Sequence, residues 1–201
     1  EVLPVQTMKE AVELVETVEE TGKIYAYGEN YCYMPAPYEM KKLYQSGKIG
    51  EFEYGEGEYI HNCADIWHSI TYGEESHWRN NMYSTFYCTH SLGPLLTVIE
   101  SPLRTVSCFG TGPQSEESTK DEMSCAQFRT DDGVVVRLLR NGRCRAQIGH
   151  HNYRVFGTEF DSRLFPGRDV FSDTEALVFN ANYDWKTEYG TYIARKNAFI
   201  P

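Results

Sequence analysis

Between residues 103 and 159 the chain carries four strand-like segments in succession, and this run restricts the possible folds more than any other feature. The segments are 103–111, 123–130, 133–141 and 151–159. Thr130-Asp131-Asp132-Gly133 separates two of them, and its Asp-Gly step supplies the positive φ that a tight hairpin turn needs. Strands joined by short connections pair antiparallel. We therefore predict one mainly antiparallel sheet, with edge strands added at 161–165 and 174–180.

The residues before this run are predicted to be mostly helical. Thr7-Met8-Lys9-Glu10 is a capping box, and apolar residues recur behind it at helical spacing, which predicts a helix over 7–21. A second helix is predicted over 37–46, while 23–27 and 49–61 alternate as a short and a long strand. Helices followed by strands are typical of the α+β class. We expect a large, mainly antiparallel open sheet with helices on one face, and an outer face that is wet or buried in a partner.

The composition is that of a globular protein. The chain has 201 residues, of which 41% are hydrophobic and 24% charged. A net charge of −10 without a basic stripe argues against a nucleic-acid partner, and no apolar run approaches the ~20 residues of a membrane helix. The six cysteines are widely spread and no secretory signal is visible, so we expect reduced thiols and a cytoplasmic protein. A disulfide framework is the weaker interpretation of the even cysteine count.

The stretch 78–99 concentrates the side chains that are suited to acid–base chemistry. It contains Arg79, Tyr87 and His90, followed by an apolar run, and we predict a helix that starts near Thr89 or His90. A side chain in the first turn is expected to point out of the packed body, and a helix N-terminus favours a neutral imidazole. A neutral histidine beside a phenol is a good acceptor for an alcohol proton. The alternative is that His90 caps the helix and Tyr87 packs against it.

A second group of polar residues follows the long predicted strand. His61, Cys63, Asp65 and His68 lie within eight residues, but they do not form a closed tetrahedral metal-binding pattern. We therefore expect no metal, and we favour a loop whose His61 or Asp65 hydrogen-bonds a substrate. No G-x-G-x-x-G follows a strand, so the chain alone shows no nucleotide site. The dense aromatic residues suit either a groove for a polyhydroxylated ligand or half-buried sheet positions.

The order of these segments resembles the Gfo/Idh/MocA family, which joins a Rossmann domain to a C-terminal α+β domain. The similar segments are Glu1-Val2-Leu3-Pro4 with the following helix, Thr21-Gly22-Lys23, and the passage 43–51 from helix to sheet. The resemblance implies that residues 1–30 are the end of a Rossmann-type domain and that 31–201 form the substrate-binding domain. The Rossmann half, ~120 residues, would then be absent from this chain or lie on another polypeptide.

The same resemblance implies a cofactor. The family uses NAD or NADP, which the Rossmann half would hold for the most part, and Glu1 in the opening segment would contact it. Two departures weaken the case for a plain dehydrogenase. Val2 stands where the family's lysine is usual, with Leu3 inserted before Pro4, and Phe86 occupies the position of the oxidoreductases' acid, four residues before His90.

Three segments are more specific and resemble a branch that contains NAD-dependent N-acetylgalactosaminidases. They are Glu29-Asn30-Tyr31-Cys32-Tyr33, Trp78-Arg79, and Tyr87-Cys88-Thr89-His90-Ser91-Leu92-Gly93-Pro94. Enzymes of this branch oxidise a sugar hydroxyl transiently, eliminate the aglycone and return the hydride. The resemblance implies that Tyr33, Arg79, Tyr87 and His90 converge on the sugar, with His90 and Tyr87 as the acid–base group.

Three hypotheses about function follow. The first is the substrate-binding and catalytic part of an NAD(P)-dependent oxidoreductase that acts on a sugar or sugar derivative, inactive as an isolated chain. The second is an NAD-dependent glycosidase with the same hydride chemistry. The third is a cofactor-free binding or assembly domain. The expected partners are a sugar-like small molecule and a second copy of the chain, bound through a tyrosine-rich outer face of the sheet.

Overall fold

The computed structural model of the protein describes residues 2–112, 121–144, 151–159, 161–165, 176–180 and 191–195. The helices are α1 (Met8–Thr21), α2 (Pro35–Gln45), α3 (Trp67–Ile70) and α4 (Thr89–Leu96). Short 3-10 turns lie at Tyr31–Tyr33, Ala64–Ile66, Trp78–Asn81 and Ser84–Tyr87. The strands are β1 (Phe52–Ile60), β2 (Leu103–Gly110), β3 (Met123–Thr130), β4 (Val135–Asn141), β5 (His151–Gly157), β6 (Asp161–Phe165), β7 (Ala176–Asn180) and β8 (Thr191–Arg195).

These strands form one open sheet in the order β2-β3-β4-β1-β5-β6-β7-β8. All neighbouring pairs are antiparallel except β1 and β4, which are parallel. The predicted α+β class with a large, mainly antiparallel sheet is therefore confirmed. The sequence does not predict β8, nor that β1 lies in the middle of the sheet. A parallel neighbour is possible for β1 because the long connection from β1 to β4 contains helices and two further strands.

The predicted hairpin connects β3 and β4. Gly133 has φ 94°, which is the left-handed conformation that the Asp-Gly step indicates. The Thr130 N–H donates to the Val134 carbonyl at 2.9 Å and closes the turn. Each predicted strand of the run 103–180 agrees with an observed strand to within two residues at either end. Local turn chemistry and alternation are thus sufficient to locate this part of the sheet.

The helix α4 lies directly on the inner face of the sheet, over β1, β4 and β5. A Cβ atom at Gly57 of β1 would collide with the carbonyl oxygen of Ser91, so only glycine allows this approach. Leu95 and Val98 are buried against the sheet, and α2 contributes Met40 to the same core. The close contact between α4 and β1 fixes the position of the first turn of α4.

The outer face of the central strands carries ion pairs. Arg137 of β4 lies 3.2 Å from both Glu56 and Glu58 of β1, and Arg154 of β5 lies 3.1 Å from Glu56. We call these four residues the outer charge ladder. The outer face of these strands also carries Tyr54, whose hydroxyl donates to Glu56 at 2.9 Å and whose ring lies beside Phe156, whereas Tyr59 lies on the inner face.

The N-terminal segment packs little of its surface. The predicted capping box is present, since Thr7 Oγ1 accepts from the Glu10 N–H and the Glu10 side chain accepts from the Thr7 N–H. No residue of α1 is buried, and Val15 remains 56% exposed. The predicted strand at 23–27 does not form, because an isolated segment has no neighbouring strand with which to pair. Among the described residues, no helix is long and apolar enough to cross a membrane.

Candidate active site

Three separate parts of the chain bring a group of polar and aromatic side chains together on the inner face of the sheet. Glu29 and Tyr31 come from the segment that enters the 3-10 turn before α2, and Tyr59 comes from β1. Tyr87 ends the 3-10 turn before α4, and His90 lies in the first turn of α4. We call these five residues the His90 cluster. The approach that Gly57 permits between α4 and β1 places His90 beside Tyr59.

Both ring nitrogens of His90 have neighbours. Nδ1 lies 2.9 Å from Glu29 Oε1, and Nε2 lies 3.4 Å from the Tyr87 hydroxyl. A carboxylate can only accept, so Nδ1 carries the proton in the neutral imidazole and Nε2 carries the lone pair. The sequence interpretation that His90 opens a helix beside a phenol therefore agrees with the geometry. The lone pair of Nε2 faces Tyr87.

Glu29 is buried, with 5% of its surface exposed. Its Oε1 also accepts from the Tyr31 N–H at 2.9 Å. Burial by itself would raise the pKa of Glu29, but the hydrogen bond and charge of His90, with the Tyr31 N–H, bring that pKa below its ordinary value. Gly93 of α4 makes room for this carboxylate, because a Cβ there would lie 2.9 Å from Glu29 Cγ. The cluster thus holds a carboxylate that is ionised at neutral pH.

Aromatic rings enclose the imidazole. The ring centroid of Tyr31 lies 4.1 Å and that of Tyr59 lies 4.8 Å from the His90 ring. Burial raises the pKa of the Tyr59 phenol well above its ordinary value, so the phenol stays protonated. Its hydroxyl lies 2.7 Å from Nδ1 of His61, which extends the polar network toward the end of β1.

The backbone of His90 is also held in place. The buried hydroxyl of Tyr153 on β5 donates to the His90 carbonyl at 2.5 Å. Because Tyr153 is fully buried in the sheet, this bond ties the first turn of α4 to a rigid element. His90 is consequently positioned at its backbone by Tyr153 and at its ring by Glu29.

The guanidinium groups of two arginines lie near the ring of Tyr87. The guanidinium of Arg79 lies 4.6 Å from the Trp78 ring and 5.7 Å from the Tyr87 ring. The guanidinium of Arg140 lies 5.7 Å from the Tyr87 ring and 5.2 Å from the Tyr59 ring. Positive charge beside these phenols favours the developing negative charge of a deprotonated oxygen.

The structure does not bring all the sequence-predicted residues together. Tyr87, His90, Arg79 and His61 lie in the His90 cluster or contact one of its rings. The side chain of Tyr33 is 81% exposed, while its neighbour Tyr31 contacts His90 instead. Asp65 lies exposed on the 3-10 turn Ala64–Ile66, and Glu1 lies outside the described residues.

The expected exposure of His90 is wrong, because only 5% of its surface is accessible. The rings of Tyr31 and Tyr59 cover the first turn of α4, so the side chain points into the fold. Tyr87 is only half-buried, and it is therefore the member of the pair that lies nearer to solvent.

The sequence interpretation missed several members of the site. Glu29 and Tyr31 lie in the segment that carries the resemblance, but their orientation toward His90 depends on the turn that follows them. Tyr59, Tyr153 and Arg140 lie on strands whose alternation alone indicates a buried position and no role. Among the described residues, no group of three or more His, Cys, Asp or Glu side chains is arranged to hold a metal ion.

The chain is similar to curated glycosyl hydrolase family 109 proteins. It is 32% identical over 214 residues to one from Solibacter usitatus, covering 94% of this chain and 48% of that protein. It is 31% identical over 187 residues to one from Shewanella sp. strain MR-4, covering 81% of this chain and 40% of that protein. The chain thus spans less than half the length of each of these two relatives. No family model matches it.

Solved structures share the fold over most of the chain. An inositol dehydrogenase homologue from Azotobacter vinelandii, complexed with NAD+, matches with a TM-score of 0.76 at 11% identity, covering 94% of this chain and 48% of that chain. A levoglucosan dehydrogenase, in complex with NADH and levoglucosan, matches with a TM-score of 0.71 at 16% identity, covering 94% of this chain and 51% of that chain. At these identities the similarity establishes the fold.

Proposed function

The chain belongs to the Gfo/Idh/MocA family and corresponds to its C-terminal α+β domain, and on this basis we propose a role in carbohydrate chemistry. We propose that the chain is the substrate-binding and catalytic part of an NAD(P)-dependent oxidoreductase that acts on a sugar or a sugar derivative. The observation that carries this proposal is the buried Glu29–His90 pair, whose Nε2 lies 3.4 Å from the Tyr87 hydroxyl.

The geometry supports a proton path from substrate to His90. Tyr87 is the more accessible partner, so a sugar hydroxyl meets the pair there, and its proton passes to Nε2 of His90 directly or through the phenol. Glu29 then stabilises the imidazolium, because its carboxylate already bonds Nδ1. Arg79, beside the Tyr87 ring, and His61, at the Tyr59 hydroxyl, are proposed to hold other substituents of the sugar.

The structure gives less support for a role of Tyr33 and Asp65 in substrate binding. Both are exposed and separate from the buried pair, so they would reach only the outer parts of a bound ligand. Their roles therefore depend on how far a ligand extends beyond Tyr87.

The described residues do not by themselves fit a dinucleotide. No glycine-rich loop after a strand is present among them, so the proposal places most of the NAD(P) contacts on a nucleotide-binding domain, with a contribution from Glu1. A bound NAD(P) would supply the acceptor for a hydride from the carbon that bears the hydroxyl. The part of the reaction assigned to this chain is binding the sugar, orienting the hydroxyl and holding its proton on His90.

We propose further that residues 1–30 pack against that nucleotide-binding domain, whereas 31–201 form the substrate domain. The support is the uncovered apolar surface of this segment: Val15 is 56% exposed and Ile24 is 98% exposed. The segment 23–27 would then add a strand to the sheet of that domain. Limited proteolysis tests this boundary. The protease should cut near residue 30 in the isolated chain, but not in the chain together with its nucleotide-binding domain.

A second function, NAD-dependent glycoside cleavage, is favoured by the relatives called glycosyl hydrolase family 109 proteins. In that case the sugar is oxidised transiently, the aglycone is eliminated, water adds to the unsaturated intermediate and the hydride returns, so no cofactor is consumed. The same His90 and Tyr87 would remove the hydroxyl proton. Phe86, which stands where plain oxidoreductases carry an acid, is compatible with this alternative.

One experiment separates these two functions. The protein, assayed together with its nucleotide-binding domain and NAD+, is given free sugars and aryl glycosides. NADH accumulation with free sugars supports the oxidoreductase, whereas aryl alcohol release without net NADH supports the glycosidase. Sugar binding by the chain with neither reaction would support the third hypothesis, a cofactor-free binding or assembly domain.

We also propose that the chain pairs with a second copy through the outer face of its sheet. The support is the long open face. The residues of the outer charge ladder already form ion pairs within one copy, so covering them by a second copy would leave no charge without a partner. Sedimentation as a monomer at high micromolar concentration would contradict this assembly.

A further inference from the structure

A buried arginine lies next to the His90 cluster with part of its hydrogen-bonding capacity unused. Arg140 on β4 has only 7% of its surface exposed. Its Nε and Nη1 atoms are buried and make no hydrogen bond to any described residue. The rings of Tyr59 and Tyr87 lie 5.2 Å and 5.7 Å from the guanidinium, and a ring face attracts a cation without accepting these N–H groups in a directed bond. Such a group is costly to bury unless an acceptor completes it.

The space that can hold an acceptor lies beside the Arg140 side chain, and the guanidinium has to turn toward that space to bond, because Nε and Nη1 are enclosed. Arg140 lines a cavity of about 330 Å³, together with an apolar wall that includes Trp67 and Met82. This volume is about ten times the ~30 Å³ that one water occupies in the liquid. The cavity therefore has room for a substituent of a sugar, or for much of one ring.

The charges around the cavity restrict what the acceptor can be. Arg143 lines it in addition to Arg140, and Asp121 and Glu122 do so as well. Oδ1 of Asp121 is held by the Ser84 N–H at 2.5 Å, so that carboxylate stays in place. Two carboxylates would repel the double charge of a phosphate ester more strongly than the single charge of a carboxylate. A monoanion with an apolar body against Trp67 fits better.

We propose that this cavity binds the carboxylate of a sugar acid, with Arg140 as the principal donor. The inference rests on the proposed function, which it narrows to acidic sugars of the uronate type. The site adjoins the reacting groups, because the Tyr59 and Tyr87 rings that contact Arg140 also contact His90, at 4.8 Å and 5.2 Å. A sugar ring over Tyr87 can thus direct an exocyclic carboxylate to Arg140 while another hydroxyl meets the His90 pair.

The test is a binding titration that needs no turnover. The chain, labelled with 15N in its arginines, is titrated with glucuronate, glucose and acetate, each as a separate probe. The variants are Arg140→Gln and, as a matched control, Arg137→Gln on the same strand but the opposite face, where the guanidinium pairs with Glu56 and Glu58. We expect glucuronate to bind at least about tenfold tighter than glucose to the wild type, and this preference to disappear in Arg140→Gln only.

The outcomes distinguish the inference from the function on which it rests. Equal affinities for glucuronate and glucose in the wild type would overturn the inference and leave a sugar-acting function standing. Acetate binding that is lost in Arg140→Gln, without binding of either sugar, would support the carboxylate site and contradict the sugar function. If Arg140→Gln does not fold, the wild-type Arg140 Nε–H signal decides: a shift with glucuronate supports the site, and an unchanged signal overturns it.

Discussion

Charged side chains on the two faces of the central sheet have opposite surroundings. On the inner face, Glu29 and His90 are both buried to about 95% and form a single contact at 2.9 Å. On the outer face, Glu56 pairs with both Arg137 and Arg154 at 3.1–3.2 Å, and these side chains remain partly exposed. A carboxylate and a basic side chain thus form one buried pair on the inner face, whereas on the outer face one carboxylate is shared by two partly solvated arginines.

The difference shows what burial does to a charge pair. In the outer charge ladder each carboxylate has other partners and some water, so losing one arginine leaves little unpaired. In the His90 cluster no solvent replaces a lost partner, and the remaining group would keep its desolvation cost. The inner pair therefore fixes a tautomer and an orientation, whereas the outer network mainly makes the face polar.

The largest expected effect is on catalysis. His90→Ala should lower kcat by ~10²–10⁴ and change sugar affinity by less than about tenfold, because the base acts mainly in the transition state. Steady-state kinetics of the protein with its nucleotide-binding domain and NAD+ measure this. Glu58→Gln on the outer face is the control and should keep kcat within a few-fold. Activity of His90→Ala within a few-fold of wild type would remove His90 from the mechanism.

The next effect concerns the contact that places His90. Gly57→Ala should destabilise the fold by about 3 kcal/mol, because the added methyl meets the Ser91 carbonyl, which is backbone and cannot turn aside. Gly55→Ala on the same face is the matched control. There the methyl would meet the Phe52 ring at 2.9 Å, and a side chain can rotate, so a loss of about 1 kcal/mol is expected. Urea denaturation measures both, and equal losses would contradict the argument.

A smaller effect is expected on the free energy of unfolding at acidic pH. The pKa of Glu29 is lowered from its ordinary value of 4.5 in the folded state, so folding favours the carboxylate. The stabilisation is fully present above pH 4.5 and is lost as the pH falls through the lower folded pKa. Glu29→Gln should cost about 1–3 kcal/mol at neutral pH and flatten this decline.

Urea midpoints between pH 3 and pH 7 test that expectation. Glu58→Gln, which changes the same side chain on the outer face, serves as the control. An identical acid limb in wild type and Glu29→Gln would show that the inner pair does not contribute to the pH dependence of stability.

The smallest effect is expected on the outer face. Arg137→Gln should change stability by about 0–1 kcal/mol, and salt should reduce the difference, because its partners remain partly solvated. Thermal unfolding at low and high ionic strength measures this. A loss comparable to that of Glu29→Gln would mean that the two faces do not differ as described.

Features that depend on neighbouring residues could be predicted. The capping box at Thr7 and Glu10, the hairpin at Gly133 and the strands of the run 103–180 follow from hydrogen bonds and alternation within a few residues. The prediction of a helix that begins at Thr89, with Tyr87 beside His90, has the same local origin, since these residues share one turn. No local signal distinguishes the two tyrosines of the segment 29–33: Tyr31 contacts His90, whereas Tyr33 is exposed.

The sequence by itself determined the α+β class, the positions of most elements and the residue types available near His90. Only the tertiary structure decided that β1 enters the centre of the sheet, that His90 points inward and that Glu29, 61 residues away, holds its Nδ1. It also decided that Arg140 is buried beside the same rings. The physical reason is range: turns, caps and alternation are set by adjacent residues, whereas the environment of a buried charge is set by chains that meet only after the sheet has assembled.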